Sequence, residues 1–242
     1  RFFEVENRGV LREPRVRLVI GDARHELLGS PGRYDVISSE PSNPWIAGVA
    51  SLFSREFYRL ARQRLAADGI MVQWVQGYNL FPRDLRTIVR TFLTVFPHTT
   101  LWRTLRGDYL LVGTPSPLTV DYARLVARLA AAPGAREDLA RLKLDVPVDL
   151  LSLFLLGEGD LARFAKGAPE HTDDRPVLEF SAPRALYSDT TDQNARNLRA
   201  ARTSDKPPVA GLPEGLLESR RLQFARARQH PHIGGGKIKA LG

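Results

Sequence analysis

Cysteine is absent from the 242 residues, and methionine occurs once. Without cysteine the chain has no disulfide framework, no thiolate nucleophile and no Cys-ligated metal. The five histidines are scattered, without the spacing of metal ligands, so we expect no metal site. Long apolar runs are also absent: the longest, residues 150–156, is interrupted by Ser152 and falls far short of the roughly 20 residues of a membrane-spanning helix. Nothing resembles a secretory signal peptide, and we expect a cytoplasmic location.

Lysine is scarce, and arginine supplies nearly all of the positive charge that gives the chain a net charge of +8. A basic balance can indicate contact with nucleic acid or with an anionic membrane. It can equally come from arginines on solvated helix faces, which is the interpretation we favour, so no specific nucleic-acid partner is expected. Hydrophobic residues make up 43% of the chain, enough for a sizeable core, which excludes wholesale disorder.

Apolar strands alternate with amphipathic helices along the first half of the chain. This order predicts an α/β fold with a mostly parallel sheet, whose strands are continuously apolar because both faces are buried. The last two strands form an antiparallel pair. The predicted strands are 16–22, 34–39, 70–76, 99–104 and 109–113; the predicted helices are 51–65, with Ser51 as N-cap, and 82–96, with Pro82 in its first turn.

The second half divides by composition. Residues 118–165 are rich in Leu, Ala and Arg at helical spacing and predict two or three appended helices, and 171–187 combine a turn with a short apolar segment. From about residue 188 the sequence is polar and then basic. We therefore divide the chain into residues 1–117, 118–187 and 188–242. A helix is predicted over 213–229. A solvated helix that docks on the body or links to a further segment is favoured over contact with nucleic acid or membrane.

Ligands of open α/β sheets bind beyond the carboxyl ends of the strands, and polar residues follow three predicted strands there. Asp22 can accept a hydrogen bond from the amino group of a ligand such as adenine, or it can simply cap the helical turn at 24–28. Glu40, held by Pro41, can act as a general base or bind a cation, or it can be an exposed loop acid.

Further candidates lie in the same loops. The Asn43 carbonyl can accept a hydrogen bond from an amine, and Trp45 can cover a cation or an apolar chain, although a buried structural role is the simpler interpretation for Trp45. Gln76 and Tyr78 project to one side of the third strand and can line a pocket. The segment 172–176 is interpreted as a structural turn braced by an Asp–Arg pair.

Residues 16–114 resemble the carboxyl-terminal half of the spermidine synthase family of aminopropyltransferases. The segment 171–180 is similar to the tail of long bacterial members, some of which are fused to membrane segments. The matching pieces are VRLVIGDA, YDVISSEPSNP, SLFSREFYRLARQRLAADGIMVQW, DLRTIVRTFLTVFPH, GDYLLVG and HTDDRPVLEF.

The resemblance implies a class I methyltransferase-like Rossmann fold, of which the chain holds the carboxyl-terminal half. It implies transfer of an aminopropyl group from decarboxylated S-adenosylmethionine to an amine such as putrescine. Asp22 with Ala23 would hold the adenine, and Glu40 would be the catalytic base. Asn43, Trp45, Gln76 and Tyr78 would contact the amine substrate.

The sequence departs from the family pattern at three points. Glu40 and Asn43 stand where the family has two aspartates, and the family's tyrosine before the last strand is missing. The Gly-rich loop of the amino-terminal half is also missing, and we expect residues upstream of Arg1. Two other functions therefore stay open: methyl transfer from S-adenosylmethionine to another acceptor, and a non-catalytic nucleoside-binding domain. A homodimer also stays open, as does a membrane association through a fused segment outside this chain.

Overall fold

The computed structural model describes residues 7–204 and 206–220. Short 3-10 turns occupy Val10–Arg12, Val49–Phe53 and Ala182–Ala185. The other elements follow in the order α1 (Ala23–Gly29), β1 (Tyr34–Ser39), α2 (Arg55–Arg64), β2 (Leu65–Gln76), α3 (Pro82–Leu93), β3 (His98–Arg103), β4 (Asp108–Thr114), β5 (Val120–Asp121), α4 (Tyr122–Ala130), α5 (Pro133–Arg141), α6 (Pro147–Ser152), β6 (Phe154–Leu156), α7 (Glu158–Phe164), α8 (Val177–Ser181), α9 (Thr191–Ala201) and β7 (Val209–Ala210).

A five-stranded sheet in the order β1-β2-β4-β3-β6 forms the centre of the molecule. β1 pairs with β2 in parallel, and β4 lies between β2 and β3, antiparallel to both. β1, β2 and β3 therefore run in one direction, with β4 against them and the short β6 antiparallel to β3. The predicted α/β class and the closing antiparallel pair are confirmed, and β1 has the bounds predicted for it.

The strand predicted over 16–22 does not form. Its backbone has no strand partner in the part of the chain that the structure describes, and its apolar side chains stand in solvent, with Leu18 62% and Ile20 92% exposed. A strand is stabilised only by a neighbour that satisfies its N–H and C=O groups. The apolar run correctly indicates a segment suited to a sheet, but the described chain does not provide that sheet.

Two helix boundaries follow from local chemistry. The helix predicted to begin at Ser51 begins instead after Ser54, whose side chain accepts a hydrogen bond from the backbone N–H of Phe57 at 3.3 Å. Ser51 lies in the preceding 3-10 turn. Pro82 occupies the first turn of α3 as predicted, where its missing N–H costs nothing.

The main core lies between the sheet and helices α2 and α3. Tyr58, Phe92 and Phe96 are wholly buried there, with ring centroids 4.9 and 5.0 Å apart in successive pairs. Gly113 on β4 lies directly beneath the two phenylalanines: a Cβ at this position would come within 2.7 Å of both. A side chain at residue 113 would therefore push α3 away from the sheet.

Helix α9 also belongs to this core, which corrects the interpretation of the region from 188 onward as a polar tail. It packs on α3, α7 and β6, and Leu198 is wholly buried. Residues 216–220 are helical as predicted, and Leu217 is buried with Val148 and Leu151. Residues 213–215, predicted as the start of this helix, are not helical, and residues 221–229 lie outside the described residues. None of the helices described is long and apolar enough to cross a membrane.

Candidate functional site

The loops that follow β1 and β2 meet at one edge of the sheet, because the two strands are adjacent and parallel. Their meeting point is a cluster of Asn43, Trp45 and Tyr78. The Asn43 side chain lies close enough to the Tyr78 hydroxyl to affect its pKa, and the Trp45 ring lies edge-on to the Tyr78 ring at a centroid distance of 6.5 Å. The structure therefore brings together three of the side chains that the sequence predicts for an amine site.

The electrostatics of Tyr78 favour its neutral form. Partial burial raises the pKa of the Tyr78 phenol above its ordinary value, and the nearby carboxylate of Asp108 raises it further. The polar side chain of Asn43 opposes the shift and lowers the pKa. Tyr78 is thus a protonated hydroxyl at neutral pH, able both to donate and to accept. Asp108, which the sequence analysis did not select, places an acid at the same edge.

Gly107 makes room for the Tyr78 ring. Its φ is +90°, in the region that favours glycine, and a Cβ there would lie 3.1 Å from the Tyr78 ring. A larger residue at 107 would displace the ring from the cluster.

Glu40 follows the last residue of β1 directly, and its side chain is exposed. Among the described residues it forms neither a hydrogen bond nor an ion pair. The loop from Glu40 leads through Asn43 to Trp45, so the carboxylate lies on the same loop as two members of the cluster. An exposed carboxylate at a strand end can bind a cation or accept a proton.

Gln76 is the last residue of β2 and is wholly buried. Neither its amide nitrogen nor its amide oxygen has a hydrogen-bond partner among the described residues. Leaving a buried polar group unsatisfied costs about 1–3 kcal/mol of folding free energy. The Gln76 amide therefore destabilises the fold, and no hydrogen bond within the described chain offsets that cost. On the same strand, the amide nitrogen of Gln73 donates to the carbonyl of Trp74 at 3.0 Å, while its amide oxygen also lacks a partner among the described residues.

Asp22 acts as the N-cap of α1, its Oδ1 accepting a hydrogen bond from the backbone N–H of His25 at 2.8 Å. The helix-cap role is therefore observed. The carboxylate is exposed and its second oxygen is open to a ligand, so the two roles are compatible. Ala23 is the first residue of the helix, also exposed.

An open depression of about 510 Å³ adjoins Asp22 between α1 and α2. It contains neither Glu40 nor the Asn43–Trp45–Tyr78 cluster. Within the described residues, Asp22 is thus the one candidate site residue that lines this depression. The depression is lined by Asp22, Arg24, His25, Leu28, Glu56, Arg59, Leu60 and Gln63.

The turn at 172–176 is braced as expected, but its ion pair reaches elsewhere in the chain. Asp173 binds Arg24 of α1, not Arg175, and this guanidinium lowers the pKa of the Asp173 carboxyl. The backbone N–H of Asp173 donates to Glu56 of α2 at 2.9 Å. The turn thereby ties the first turns of α1 and α2 together, and no local spacing in the sequence indicates this partner.

The loop after β2 is itself bound by two residues that no sequence pattern indicates as functional. Thr190 and Asn194 are both buried and both hydrogen-bond the backbone of that loop. They lie in a polar stretch, where composition predicts solvent exposure.

The comparisons with known proteins agree on one family. Residues 2–110 match the family model described as the spermine/spermidine synthase domain. Polyamine aminopropyltransferase 2 of Streptomyces coelicolor is 32% identical over 207 residues, which are 85% of this chain and 31% of that protein. The polyamine aminopropyltransferase of Thermococcus kodakarensis is 30% identical over 131 residues, 54% of this chain and 42% of that protein.

Among solved structures, a probable spermidine synthase from Corynebacterium glutamicum is similar at 20% identity with a TM-score of 0.47, covering 71% of this chain and 59% of that one. The chain is thus similar to the spermidine synthase family, over residues 2–110 by the family model and over 207 residues by the Streptomyces coelicolor relative. It spans 31% and 42% of the length of the two curated relatives above.

Proposed function

We propose that this chain carries the amine-binding and base-bearing part of an aminopropyltransferase. In this proposal an aminopropyl group passes from decarboxylated S-adenosylmethionine to an amine acceptor such as putrescine. The observation that carries it is the position of Glu40: an exposed carboxylate directly at the end of β1, on the loop whose Asn43 and Trp45 contact Tyr78, in a chain similar to the spermidine synthase family.

The reaction requires a neutral amine. An alkylamine has a pKa of about 10 in water, comparable to that of lysine, so at neutral pH it is almost entirely protonated. Glu40 would bind the ammonium and accept its proton. The freed lone pair would attack the aminopropyl methylene carbon attached to the sulfonium; the C–N bond would form there while the bond from that carbon to sulfur breaks, its electron pair passing to sulfur. Methylthioadenosine leaves as a neutral thioether.

The acceptor would lie against the cluster. Tyr78 and Asn43 offer hydrogen bonds to the amine, and the Trp45 ring offers an apolar or cation-binding face. The amide of Gln76, which lacks a partner among the described residues, would gain one from a polar group of the substrate if a neighbouring side chain moves to admit it. Asp108 would supply the negative charge that Asn43 lacks.

The donor would lie near Asp22. Its open carboxylate oxygen would accept a hydrogen bond from the exocyclic amine of adenine while the other oxygen continues to cap α1, with Ala23 beside the base. One residue thus orders the helix and contacts the nucleoside. Because the chain overall is basic, its acids attract a polyamine only at short range, within a Debye length of about 8–10 Å.

The test is a product assay on the whole product of the gene. It is incubated in parallel with decarboxylated S-adenosylmethionine and with S-adenosylmethionine, each with a panel of mono-, di- and triamines, and the products are identified by mass spectrometry. We expect methylthioadenosine and an amine heavier by one aminopropyl group, from the decarboxylated donor only. S-adenosylhomocysteine with a methylated acceptor would replace the proposal by a methyltransferase. Nucleoside binding without either product would favour a non-catalytic domain.

A further inference from the structure

The loop after β2, residues 77–80, carries Tyr78 but depends on other segments for its shape. Asn79 within it has a φ of +48°, a left-handed conformation that is uncommon outside glycine. The backbone N–H of Gly77 donates to the carbonyl of Gly107, 2.6 Å away in the turn between β3 and β4. Several other polar groups of the loop, the carbonyls of Gly77 and Leu80, the N–H of Leu80 and the Asn79 side chain, are bound from a distant part of the chain.

That distant part is the segment 186–194, at the start of α9. The Asn194 side chain donates to the carbonyls of Gly77 at 2.9 Å and Leu80 at 2.7 Å. The Thr190 hydroxyl accepts from the N–H of Leu80 at 3.0 Å and donates to the carbonyl of Gly77 at 3.3 Å. The two side chains therefore hydrogen-bond the backbone at both ends of the loop, at Gly77 and Leu80, and Tyr78 lies between these two residues.

The side chains of Asn194 and Thr190 are both buried, with exposures of 0% and 4%. Thr190 is also the residue before α9, where threonine ordinarily caps the helix, yet its side chain makes no capping bond to α9. Its hydroxyl is used on the loop instead. Asn79 adds a third link, its side chain donating to the carbonyl of Leu186.

We propose that Thr190 and Asn194 are positioning residues that hold the loop after β2 and so direct Tyr78 toward the amine acceptor. This inference rests on the proposed function for its link to the acceptor, while the fixing of Tyr78 itself can be measured without any reaction. A displacement of about 1 Å in a group that orients a substrate can change rates by about a hundredfold, so a small shift of this loop is expected to matter.

The test compares Thr190→Val, which removes the hydroxyl at nearly constant volume, with Thr190→Ser, which keeps it. In steady-state assays on the whole gene product we expect Thr190→Val to raise the KM for the acceptor by about tenfold or more and to leave the KM for the donor within about twofold. Thr190→Ser should restore the acceptor KM. Asn194→Ala should behave as Thr190→Val, and Asn197→Ala, an exposed asparagine on the same helix, should behave as wild type.

A second measurement separates this inference from the proposed function. Tyrosine is labelled with ¹³C at Cζ, and the Tyr78 resonance is assigned by its loss in Tyr78→Phe. We expect Thr190→Val to shift or broaden that resonance and to move its titration toward that of an exposed tyrosine, with Thr190→Ser unchanged. If Thr190→Val does not fold, Thr190→Ala takes its place.

The outcomes are distinct. An unchanged Tyr78 resonance in a folded Thr190→Val protein overturns the inference, whether or not the wild type transfers aminopropyl groups. So does a lowered melting temperature with no change in the ratio of acceptor to donor KM, which is the result of a purely structural role. A shifted resonance in a protein that transfers no aminopropyl group supports the fixing of Tyr78 and contradicts the proposed function alone.

Discussion

Arg24 and Asp173 form a two-point ion pair across 149 residues of sequence, with Nη1–Oδ1 at 3.0 Å and Nη2–Oδ2 at 2.6 Å. The pair joins α1 to the turn at 172–176. Since Asp22 lies two residues before Arg24, the same contact fixes the position of the proposed nucleoside residue. The parallel geometry of guanidinium and carboxylate is the form of ion pair that gives orientation as well as energy.

Replacing Arg24 by alanine is expected to lower the free energy of unfolding by about 1 kcal/mol, because both partners are partly solvent-exposed and the pair is screened. The loss should depend on pH. Binding to Arg24 lowers the pKa of Asp173, so the contribution is present above the ordinary aspartate pKa of about 4 and is lost as the pH falls through the lowered value.

Urea denaturation at pH 7 and pH 3 measures both effects. Arg59→Ala, at an exposed arginine on α2, is the matched control and should cost little at either pH. An equal loss at both pH values for Arg24→Ala would contradict the role given to the ion pair.

The neutral ring of His171 links the 3-10 turn Val49–Phe53 to α8. Its Nε2–H donates to the carbonyl of Ala50 at 2.9 Å, and its Nδ1 accepts from the N–H of Leu178 at 3.3 Å. Burial lowers the pKa of His171, since the charged ring would lose solvation; the carboxylates of Asp173, Glu179 and Glu56 oppose this shift. Protonation of Nδ1 would also break the bond from Leu178.

We therefore expect stability to fall as the pH drops below the ordinary histidine pKa of about 6.5. Below this pH the unfolded chain binds a proton at His171 that the folded protein does not bind, so the free energy of unfolding decreases as the pH falls. Unfolding free energies measured between pH 8 and pH 5 should slope downward for wild type and lose part of that slope in His171→Gln. The pKa values of Asp173 and Glu56 are lowered from their ordinary values, by Arg24 for Asp173 and, against the effect of burial, by hydrogen bonds for Glu56, so these two carboxylates stay charged through this window. An identical slope in the variant would show that His171 is not the titrating group.

The sequence predicts well what is determined by local pattern. The apolar run of β1 and the proline at the start of α3 are confirmed because each rests on neighbouring residues. The antiparallel pair of β3 and β4 is likewise indicated by two apolar runs around Gly107. Asn43, Trp45 and Tyr78 could be predicted to lie together because adjacent parallel strands bring their following loops to one edge.

What depends on distant partners could not be predicted. The segment 16–22 has the pattern of a strand but no neighbour among the described residues. Helix α9 is polar on most of its surface, and only Leu198 and Asn194 are fully buried, which is too weak a signal in composition. The hydrogen bonds from Thr190 and Asn194 to the loop after β2 join residues more than 100 positions apart in the sequence. They are made to backbone atoms of the loop, which every residue type has, so no sequence pattern indicates them.

Glu40→Gln is expected to lower kcat by about two to four orders of magnitude, the usual contribution of a general base, with donor affinity unchanged. The amide keeps the size of the side chain but cannot accept the proton. Stopped-time assays with the decarboxylated donor measure kcat, and calorimetry measures donor binding. Asp35→Asn, an exposed acid within β1, is the matched control and should keep full turnover. Retained turnover in Glu40→Gln would refute the assignment of the base.

Asp22 can be tested by separating its two roles. Serine is also a good N-cap, but it has a hydroxyl group in place of the carboxylate that would bind a ligand. Asp22→Ser should therefore keep the stability of wild type within a few tenths of a kcal/mol, whereas Asp22→Ala should lose about 1 kcal/mol. Both variants should bind the nucleoside donor more weakly by calorimetry. If Asp22→Ser binds as tightly as wild type, Asp22 is a helix cap alone.

The segment around Leu217 is expected to stabilise the region of α6 without taking part in donor binding. Leu217 is 8% exposed and packs with Val148 and Leu151, and Arg220 reaches the wholly buried Asp149, its Nη2 lying 3.0 Å from the carboxylate. Leu217→Ala should lower the free energy of unfolding by about 2 kcal/mol or more, since it removes buried methyl groups. The same change at Leu142, which is 66% exposed, should have almost no effect.

Deletion of 213–242 should destabilise the chain at least as much as Leu217→Ala and leave donor binding unchanged. A deletion that preserves stability but removes salt-sensitive binding to RNA or to anionic vesicles would show instead that this end of the chain serves an anionic partner.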